Sequence, residues 1–160
     1  MCTHLNNVNK TTIPALPCTC ATLRRATRTL TLLYDEALRP TGLRGTQFTI
    51  LQAISLAGPV NQKQLGHILS IDSTSLTRAL NPMLRRAWIE RHRGEDRRQW
   101  IFKLSPSGKV LFRRALPRWS RLQARLQHQL GAELWSRITQ TANDLTSSLL
   151  TPNLPQGEIQ

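Results

Sequence analysis

The sequence predicts a mainly α-helical protein with a small β-hairpin wing, in which a winged helix-turn-helix region is flanked by terminal helices that pair two chains. Apolar residues recur at three- and four-residue steps through most of the 160 residues, as in amphipathic helices. One central stretch changes to strand-like alternation. Just before it, two short helical patterns stand only three residues apart. This spacing is typical of a helix-turn-helix.

The charge of the chain is strongly positive and unevenly placed. The net charge is +13, and the segment from Arg78 to Arg125 holds 14 basic residues against 3 acidic ones. Such a charge is compatible with nucleic acid or an acidic membrane surface as partner. No apolar run reaches the ~18 residues of a membrane span, and the first 17 residues lack signal-peptide features. We therefore expect a soluble, cytoplasmic protein without a membrane partner.

The chain divides into four parts. Residues 1–17 are polar and predict a flexible N-terminal arm, and residues 151–160 predict a flexible tail. Residues 41–104 form the predicted winged helix-turn-helix region, and residues 18–40 with 105–150 form terminal helices. These helices are amphipathic and need a cover for their apolar faces. A homodimer is the expected cover because symmetric dimers are the commonest assemblies, and folding back onto the same domain is the alternative.

Local signals place the elements of the central region. Asn61 and Asp72 are predicted caps of the third and fourth helices, and Ser105 with Pro106 opens a long fifth helix. Strands are predicted from Trp88 to Arg93 and from Gln99 to Leu104. Pro82 predicts a kink or an early end in the fourth helix. The inward residues predicted for the third and fourth helices are Leu65, Ile68 and Leu69, and Leu76, Leu80, Met83, Leu84 and Ala87.

The outward face of the fourth helix carries hydroxyl, amide and guanidinium groups. These groups suit base edges and phosphates in a major groove of DNA. Serine and threonine are also ordinary helix openers, so their identity alone leaves both interpretations open. The predicted recognition residues are Ser73, Thr74, Thr77, Arg78, Asn81 and Arg85.

Four arginines surround the tip of the predicted hairpin. They are Arg91, Arg93, Arg97 and Arg98, and Asp96 among them is a candidate for orienting a neighbouring arginine. A hairpin tip of this kind can insert an arginine into a narrow, strongly negative minor groove. A solvated turn is the alternative, although four arginines in so short a stretch exceed what solubility requires. We therefore expect the hairpin to contact DNA.

The three cysteines, Cys2, Cys18 and Cys20, are an odd number near the N-terminus and do not form a disulfide framework. Inert reduced thiols are the simplest interpretation. Binding of a soft metal ion by these thiols is an alternative, but two cysteines one residue apart are weak evidence for it. The four histidines show no metal-ligand spacing. No metal and no cofactor are therefore expected.

The stretch from Cys20 to Leu150 resembles the MarR family, the multiple-antibiotic-resistance regulators. Five groups of residues carry the resemblance in order: Gly42-Leu43, Gln47-Phe48, Leu76-Thr77-Arg78-Ala79-Leu80, Asp96-Arg97-Arg98 and Leu104-Ser105-Pro106-Ser107-Gly108. The resemblance implies a triangular dimer built from the terminal helices, with a recognition helix in each major groove and Arg98 in the flanking minor groove. Two positions differ from the family pattern. Arg44 stands where the family often has a threonine cap, and Trp88 stands where a glycine usually precedes the wing.

The resemblance also extends to the effector. Cys20 precedes Tyr34 by fourteen residues, a spacing similar to that of the reactive cysteine and its tyrosine in the organic-hydroperoxide sensors of this family. Arg24 stands where those sensors carry a second tyrosine. Cys18, Cys20 and Tyr34 are therefore candidates for a thiol switch. Other family members bind small aromatic acids between the dimer and DNA-binding parts, but the sequence does not locate such a pocket here.

These observations predict a sequence-specific DNA-binding transcriptional regulator. We expect a repressor that binds double-stranded DNA as a homodimer at a pseudo-palindromic operator and is released by a small effector or by thiol oxidation. A nucleoid-type or RNA-binding basic protein is the alternative, because charge alone does not confer specificity. A thiol enzyme built on Cys18 or Cys20 is a weaker one. No glycine-rich phosphate loop or catalytic triad pattern supports an enzyme.

Overall fold

A computed structural model describes residues 14–15 and 17–150. The predicted tail and most of the predicted arm, Cys2 included, lie outside these residues. The described part of the chain contains six α-helices, a 3-10 turn at Arg39–Thr41 that follows the first of them, and three short strands. In chain order the α-helices and strands are α1 (Thr19–Leu38), α2 (Gly45–Ala57), β1 (Val60–Asn61), α3 (Gln62–Leu69), α4 (Ser73–Arg85), β2 (Ile89–Arg93), β3 (Trp100–Leu104), α5 (Pro106–Leu130) and α6 (Ala132–Leu150). The predicted fold class is therefore confirmed.

The hairpin belongs to a three-stranded antiparallel sheet with the order β1-β3-β2. In the hairpin, Ile89 lies opposite Leu104 and Arg93 opposite Trp100. On the other edge, Val60 lies opposite Phe102. Strand β1 was not predicted from the sequence, because a two-residue strand is too short to show alternation. This strand connects the start of α3 to the middle of β3.

One apolar core joins the helix-turn-helix to the terminal helices. Leu65 of α3, with Leu76 and Met83 of α4, is fully buried. Phe48 of α2 extends this core toward α5, where its ring centroid lies 5.3 Å from that of Phe112 and 5.8 Å from that of Trp119. Aromatic pairs at these distances add about 0.5–1.5 kcal/mol each beyond their buried area. The stacked rings therefore fix α2 against α5.

The N-terminus of α2 is capped from α1. Arg44 is the residue before the helix, and its guanidinium has no acceptor atom for a free backbone N–H. The Asp35 carboxylate accepts a hydrogen bond from the Gly45 backbone N at 2.6 Å instead. The departure at Arg44 is thus compensated by Asp35, ten positions before Gly45, which the sequence alone did not indicate.

The end of α4 corrects three expectations. Of the two effects predicted for Pro82, the early end is wrong, because α4 continues to Arg85, and the kink stays a prediction. Ala87 does not point inward but follows the helix in a left-handed conformation, with φ of 51°. The Ala87 N–H bonds to the Leu84 carbonyl and the Trp88 N–H to the Met83 carbonyl, which is the Schellman pattern. The position that favours glycine is therefore Ala87, not Trp88.

A fourth expectation concerns α3 and was also wrong. Ile68 was expected to point inward, but it is 50% exposed.

The start of α5 is locked onto this helix end. The Ser105 side chain accepts a hydrogen bond from the Gly108 backbone N at 2.9 Å and donates to the Ala87 carbonyl. The Ser107 hydroxyl also donates to the Ala87 carbonyl. A Cβ atom on Gly108 would overlap the Trp88 carbonyl oxygen. The Ser105-to-Gly108 motif therefore brings α5 against the end of α4.

Part of the apolar surface of the terminal helices has no cover within the chain. The apolar side of α6 is about half exposed, and Leu23 on α1 is exposed to a similar extent. The exposed α6 residues on this stripe are Leu134, Ile138, Leu145 and Leu149. No helix within the described ranges has the length and apolar character that a bilayer span requires. The interpretation of these helices as dimerisation helices remains a prediction.

We predict that Ala87→Gly stabilises the protein. The left-handed conformation costs an L-residue roughly 1–2 kcal/mol, and glycine avoids this cost. Part of the gain is lost because glycine also makes the unfolded chain more flexible. We therefore expect the free energy of unfolding in urea, measured at equal chain concentration, to rise by about 1 kcal/mol.

The matched control is Ala124→Gly on the exposed side of α5. The same substitution in a regular helix should lower the free energy of unfolding by about 0.5–1 kcal/mol. A destabilised Ala87→Gly variant would contradict the left-handed assignment.

Candidate nucleic-acid interface

The helix-turn-helix is formed by α3, α4 and the three-residue turn between them. The Asn61 side chain accepts a hydrogen bond from the Gln64 backbone N at 2.8 Å, and the Gln64 side chain accepts one from the Asn61 backbone N at 3.0 Å. This reciprocal pair is a capping box at the start of α3. In the turn, Ser70 adopts a left-handed conformation with φ of 51°. The backbone N of Ile71 then returns to the Gly66 carbonyl at 2.9 Å.

Asp72 caps α4, as predicted. Its carboxylate accepts a hydrogen bond from the Ser75 backbone N at 2.9 Å. Hydrogen bonds from Ser75 are the main cause that lowers the pKa of Asp72 below its ordinary value of 3.8. The carboxylate is therefore charged at neutral pH, and its negative charge interacts favourably with the positive end of the α4 dipole.

The solvent side of α4 is polar along the whole helix. All six predicted recognition residues are exposed on α4, while Leu76, Leu80 and Met83 are buried beneath it. The structure therefore brings together the residues that the sequence analysis singled out: Ser73, Thr74, Thr77, Arg78, Asn81 and Arg85. Their contacts with DNA remain a prediction.

Gln62 also belongs to this surface, although the sequence analysis did not identify it. Its side-chain nitrogen donates to the Thr77 hydroxyl oxygen at 2.8 Å and lies 3.2 Å from the Ser73 carbonyl oxygen. Gln62 is the first residue of α3, and a glutamine at a helix start carries no signal of a contact with the next helix. The link depends on the angle between α3 and α4, which the turn sets.

Two of the predicted wing arginines are stacked on an aromatic ring. The guanidinium carbon of Arg91 lies 4.3 Å from the centroid of Trp100, and that of Arg93 lies 3.9 Å from it. Exposed cation–π contacts of this kind contribute about 0.5–1 kcal/mol each. Arg93 also donates to the Arg97 carbonyl at 2.8 Å. These contacts therefore hold Arg91 and Arg93 against the strands next to the tip of the wing.

The tip of the wing is a turn held by Asp96. Its carboxylate accepts a hydrogen bond from the Arg98 backbone N at 2.9 Å. Asp96 thus orients Arg98 through the main chain rather than through the guanidinium. The guanidinium groups of Arg97 and Arg98 have no acidic partner among the described residues. Both side chains are exposed and available to an anion.

The candidate thiol switch is not assembled within one chain. Cys18 and Cys20 are exposed at the start of α1, and Tyr34 lies in the same helix. Fourteen residues along a helix span about 21 Å, so Cys20 and Tyr34 do not meet in one chain. A thiol switch using both would require the tyrosine of a second chain. In residues 14–15 and 17–150, no three histidine, cysteine or acidic side chains form a metal-binding group.

A cleft of about 310 Å³ lies between α1, α2 and α5. The Gln123 side-chain oxygen is buried there without a hydrogen-bond partner, which is costly for a polar atom. Burial raises the pKa of Tyr34 above 10.0, so its hydroxyl remains a neutral donor. The described residues that line the cleft are all uncharged. They are Thr31, Tyr34, Gly45, Thr46, Phe48, Thr49, Gln52, Trp119 and Gln123.

Comparisons with known proteins agree with this geometry. The model of the MarR family matches residues 43–100. The chain is 36% identical over 80 residues to the multiple antibiotic resistance protein MarR of Salmonella typhimurium, a match that covers 49% of this chain and 56% of that protein. It is 26% identical over 83 residues to YwoH of Bacillus subtilis, an uncharacterised HTH-type transcriptional regulator, covering 52% and 61%. The chain thus spans a little over half the length of these relatives.

A solved structure matches over a longer stretch. The M. tuberculosis transcriptional regulator MosR in complex with DNA is 34% identical to this chain, with a TM-score of 0.77. The match covers 86% of this chain and 99% of that one. The similarity therefore includes the terminal helices as well as the winged helix-turn-helix region.

Proposed function

The chain belongs to the MarR family, and we propose that it is a transcriptional repressor that binds a pseudo-palindromic operator in double-stranded DNA as a homodimer. The observation that carries this proposal is the capped helix α4, whose entire exposed face is polar, together with an arginine-rich wing. This surface lies on a chain with a net charge of +13.

In the proposed complex, α4 occupies the major groove. The Asn81 amide can pair with the N6 and N7 atoms of adenine, and the guanidiniums of Arg78 and Arg85 can pair with guanine or with phosphates. The wing inserts Arg98 into the neighbouring minor groove, where a narrow groove concentrates negative potential. Arg91 and Arg93, held on Trp100, supply charge near the backbone phosphates. An operator occupied in this way is closed to other proteins, which accounts for repression.

We expect the protein to prefer DNA upstream of its own gene to a scrambled duplex of equal length. Fluorescence anisotropy at ~150 mM salt, near the ionic strength of cells, should give a preference of about 10³ or more. Repression would appear as higher activity of the same promoter in cells that lack the protein. Equal binding to both duplexes would instead support the nucleoid-type or RNA-binding alternative.

We predict that Arg98→Ala weakens operator binding roughly tenfold and lowers the slope of log K against log salt by about one, since one groove contact is lost. Arg137→Ala on α6 is the control. This variant removes the same charge as Arg98→Ala. Arg137 lies outside the wing, and its guanidinium is 3.8 Å from the Glu133 carboxylate. Equal effects of the two substitutions would refute the role of Arg98 and leave only a general effect of net charge.

The proposed dimer is supported by the half-exposed apolar stripe of α6. Burying such a stripe between two chains removes apolar surface from water, which stabilises the dimer by about 25 cal/mol per Å² of buried apolar surface.

We predict that light scattering will give a mass of twice the 18.2 kDa of the chain. The Ile138→Asp variant should dissociate into monomers. Ser136→Asp, with the same charge on the opposite side of α6, should remain a dimer. A wild-type monomer at micromolar concentration would exclude this assembly.

We propose that a small molecule bound in the α1–α2–α5 cleft releases the operator. The uncharged lining and the unpaired Gln123 oxygen favour a neutral aromatic ligand that carries a hydrogen-bond donor.

Benzamide should therefore bind more tightly than benzoate when the two affinities are measured by calorimetry. Gln123→Leu should abolish this difference, whereas Gln127→Leu on the exposed side of α5 should preserve it. Tighter binding of benzoate would contradict the assignment.

Thiol oxidation is the second proposed route of release, and it rests on the exposed Cys18 and Cys20. An organic hydroperoxide should then release DNA from the wild type but not from the Cys20→Ser variant. Equal release from both would exclude Cys20 as the sensor.

A further inference from the structure

The hydrogen bonds between α3 and α4 fix the direction of one hydroxyl on the proposed DNA-binding surface. Gln62 Nε2 lies 2.8 Å from Thr77 Oγ1, 3.2 Å from the Ser73 carbonyl oxygen and 3.3 Å from Ser73 Oγ. Because a carbonyl oxygen can only accept a hydrogen bond, the nitrogen of the Gln62 amide must face it. This contact determines the orientation of the amide, with its nitrogen toward Thr77.

The Thr77 hydroxyl has a single proton. Thr77 Oγ1 donates this proton to the Ser73 carbonyl at 2.8 Å and accepts an N–H from Gln62. A hydroxyl has one donor and two acceptor positions, so only one acceptor lone pair remains for a ligand. The exposed Thr77 hydroxyl is therefore polarised: it can accept a hydrogen bond from DNA but has no proton left to donate.

We infer that Gln62 supports specificity by holding the Thr77 hydroxyl in the rotamer that donates to the Ser73 carbonyl, so that Thr77 presents only an acceptor to DNA and selects a base with an exocyclic amino group. In the major groove, adenine N6 and cytosine N4 present such donors, whereas guanine O6 and thymine O4 only accept. Thr77 thus favours adenine or cytosine at the position that it contacts. Gln62 is a positioning residue, because it acts through Thr77. This inference rests on the proposed function, since it requires α4 to read DNA.

The test measures operator affinity for wild type, Gln62→Met and Thr77→Val across a set of operators with single base changes. Thr77→Val keeps the shape of the side chain and removes the hydroxyl. The base position at which this variant no longer distinguishes between bases is therefore the position that Thr77 contacts. There, the wild type should prefer adenine or cytosine about 5- to 10-fold, as one net hydrogen bond allows. Gln62→Met should reduce that preference to about twofold and leave the other positions unchanged.

Two further comparisons separate specificity from general effects. The double variant should show the same base preferences as Thr77→Val alone, because Gln62 acts only through the hydroxyl that Thr77→Val removes. Gln127→Met on the exposed side of α5 is the matched control and should retain the wild-type base preferences. A uniform loss of affinity in Gln62→Met, or an unchanged preference at the Thr77 position, would overturn the inference.

A measurement on the free protein distinguishes failure of this inference from failure of the proposed function. In NMR spectra, the side-chain N–H signal of Gln62 should exchange slowly with water and shift in the Thr77→Val variant. Fast exchange and no shift would refute the network, even if the protein binds its operator. A wild type that shows the protected signal but no operator preference would refute the proposed function and, with it, the selection of a base by Thr77.

Discussion

Two backbone carbonyls, those of Ala87 and Trp88, hold the recognition helix, the wing and α5 in one arrangement. Ser105 and Ser107 donate to the Ala87 carbonyl, and the Ser105 backbone N–H donates to the Trp88 carbonyl at 3.2 Å. Four elements of the fold end or begin within this small region: α4, β2, β3 and α5. A change in the conformation of Ala87 would therefore move α4, β2 and α5 relative to one another, and the positions of the proposed DNA-contacting side chains depend on it.

The aromatic cluster of Phe48, Phe112 and Trp119 forms a second connection. Phe48 and Trp119 also line the cleft between α1, α2 and α5. A ligand in this cleft would contact the same rings that fix α2 against α5. Because packed aromatic side chains have little free volume, such a ligand can act on the DNA-binding region only by changing this packing. Coupling of the proposed ligand site to the DNA-binding region would therefore require no separate signalling element.

The sequence predicted those features that depend on short stretches of chain. Helical periodicity located all the long helices, and the caps Asn61 and Asp72 were identified because N-capping needs only neighbouring residues. Features that join distant residues were missed. The Asp35 carboxylate that caps α2 and the Gln62 amide that contacts Thr77 are examples. Neither residue type is unusual at its position, so only the packing of the helices gives these side chains their roles.

The left-handed residue after α4 shows the same limit on a smaller scale. Glycine is the usual residue at this position, and alanine gives no sequence signal for it. The expectation that Ala87 points inward followed from its spacing from Met83 and Leu84. The structure shows that the helix had already ended, so the spacing no longer described a helical face.

In the proposed dimer, the half-exposed apolar stripe on α6 would link the persistence of the protein in the cell to its abundance. A helix that is covered only by a partner chain gains stability in proportion to the logarithm of the partner concentration. When synthesis slows and the proposed dimers dissociate, this stripe becomes accessible to proteases, because uncovered segments unfold locally at low cost. Scarce chains would then be degraded faster than abundant ones. For the proposed repressor, such a loss would be abrupt rather than gradual and would sharpen the return of its target genes to full expression.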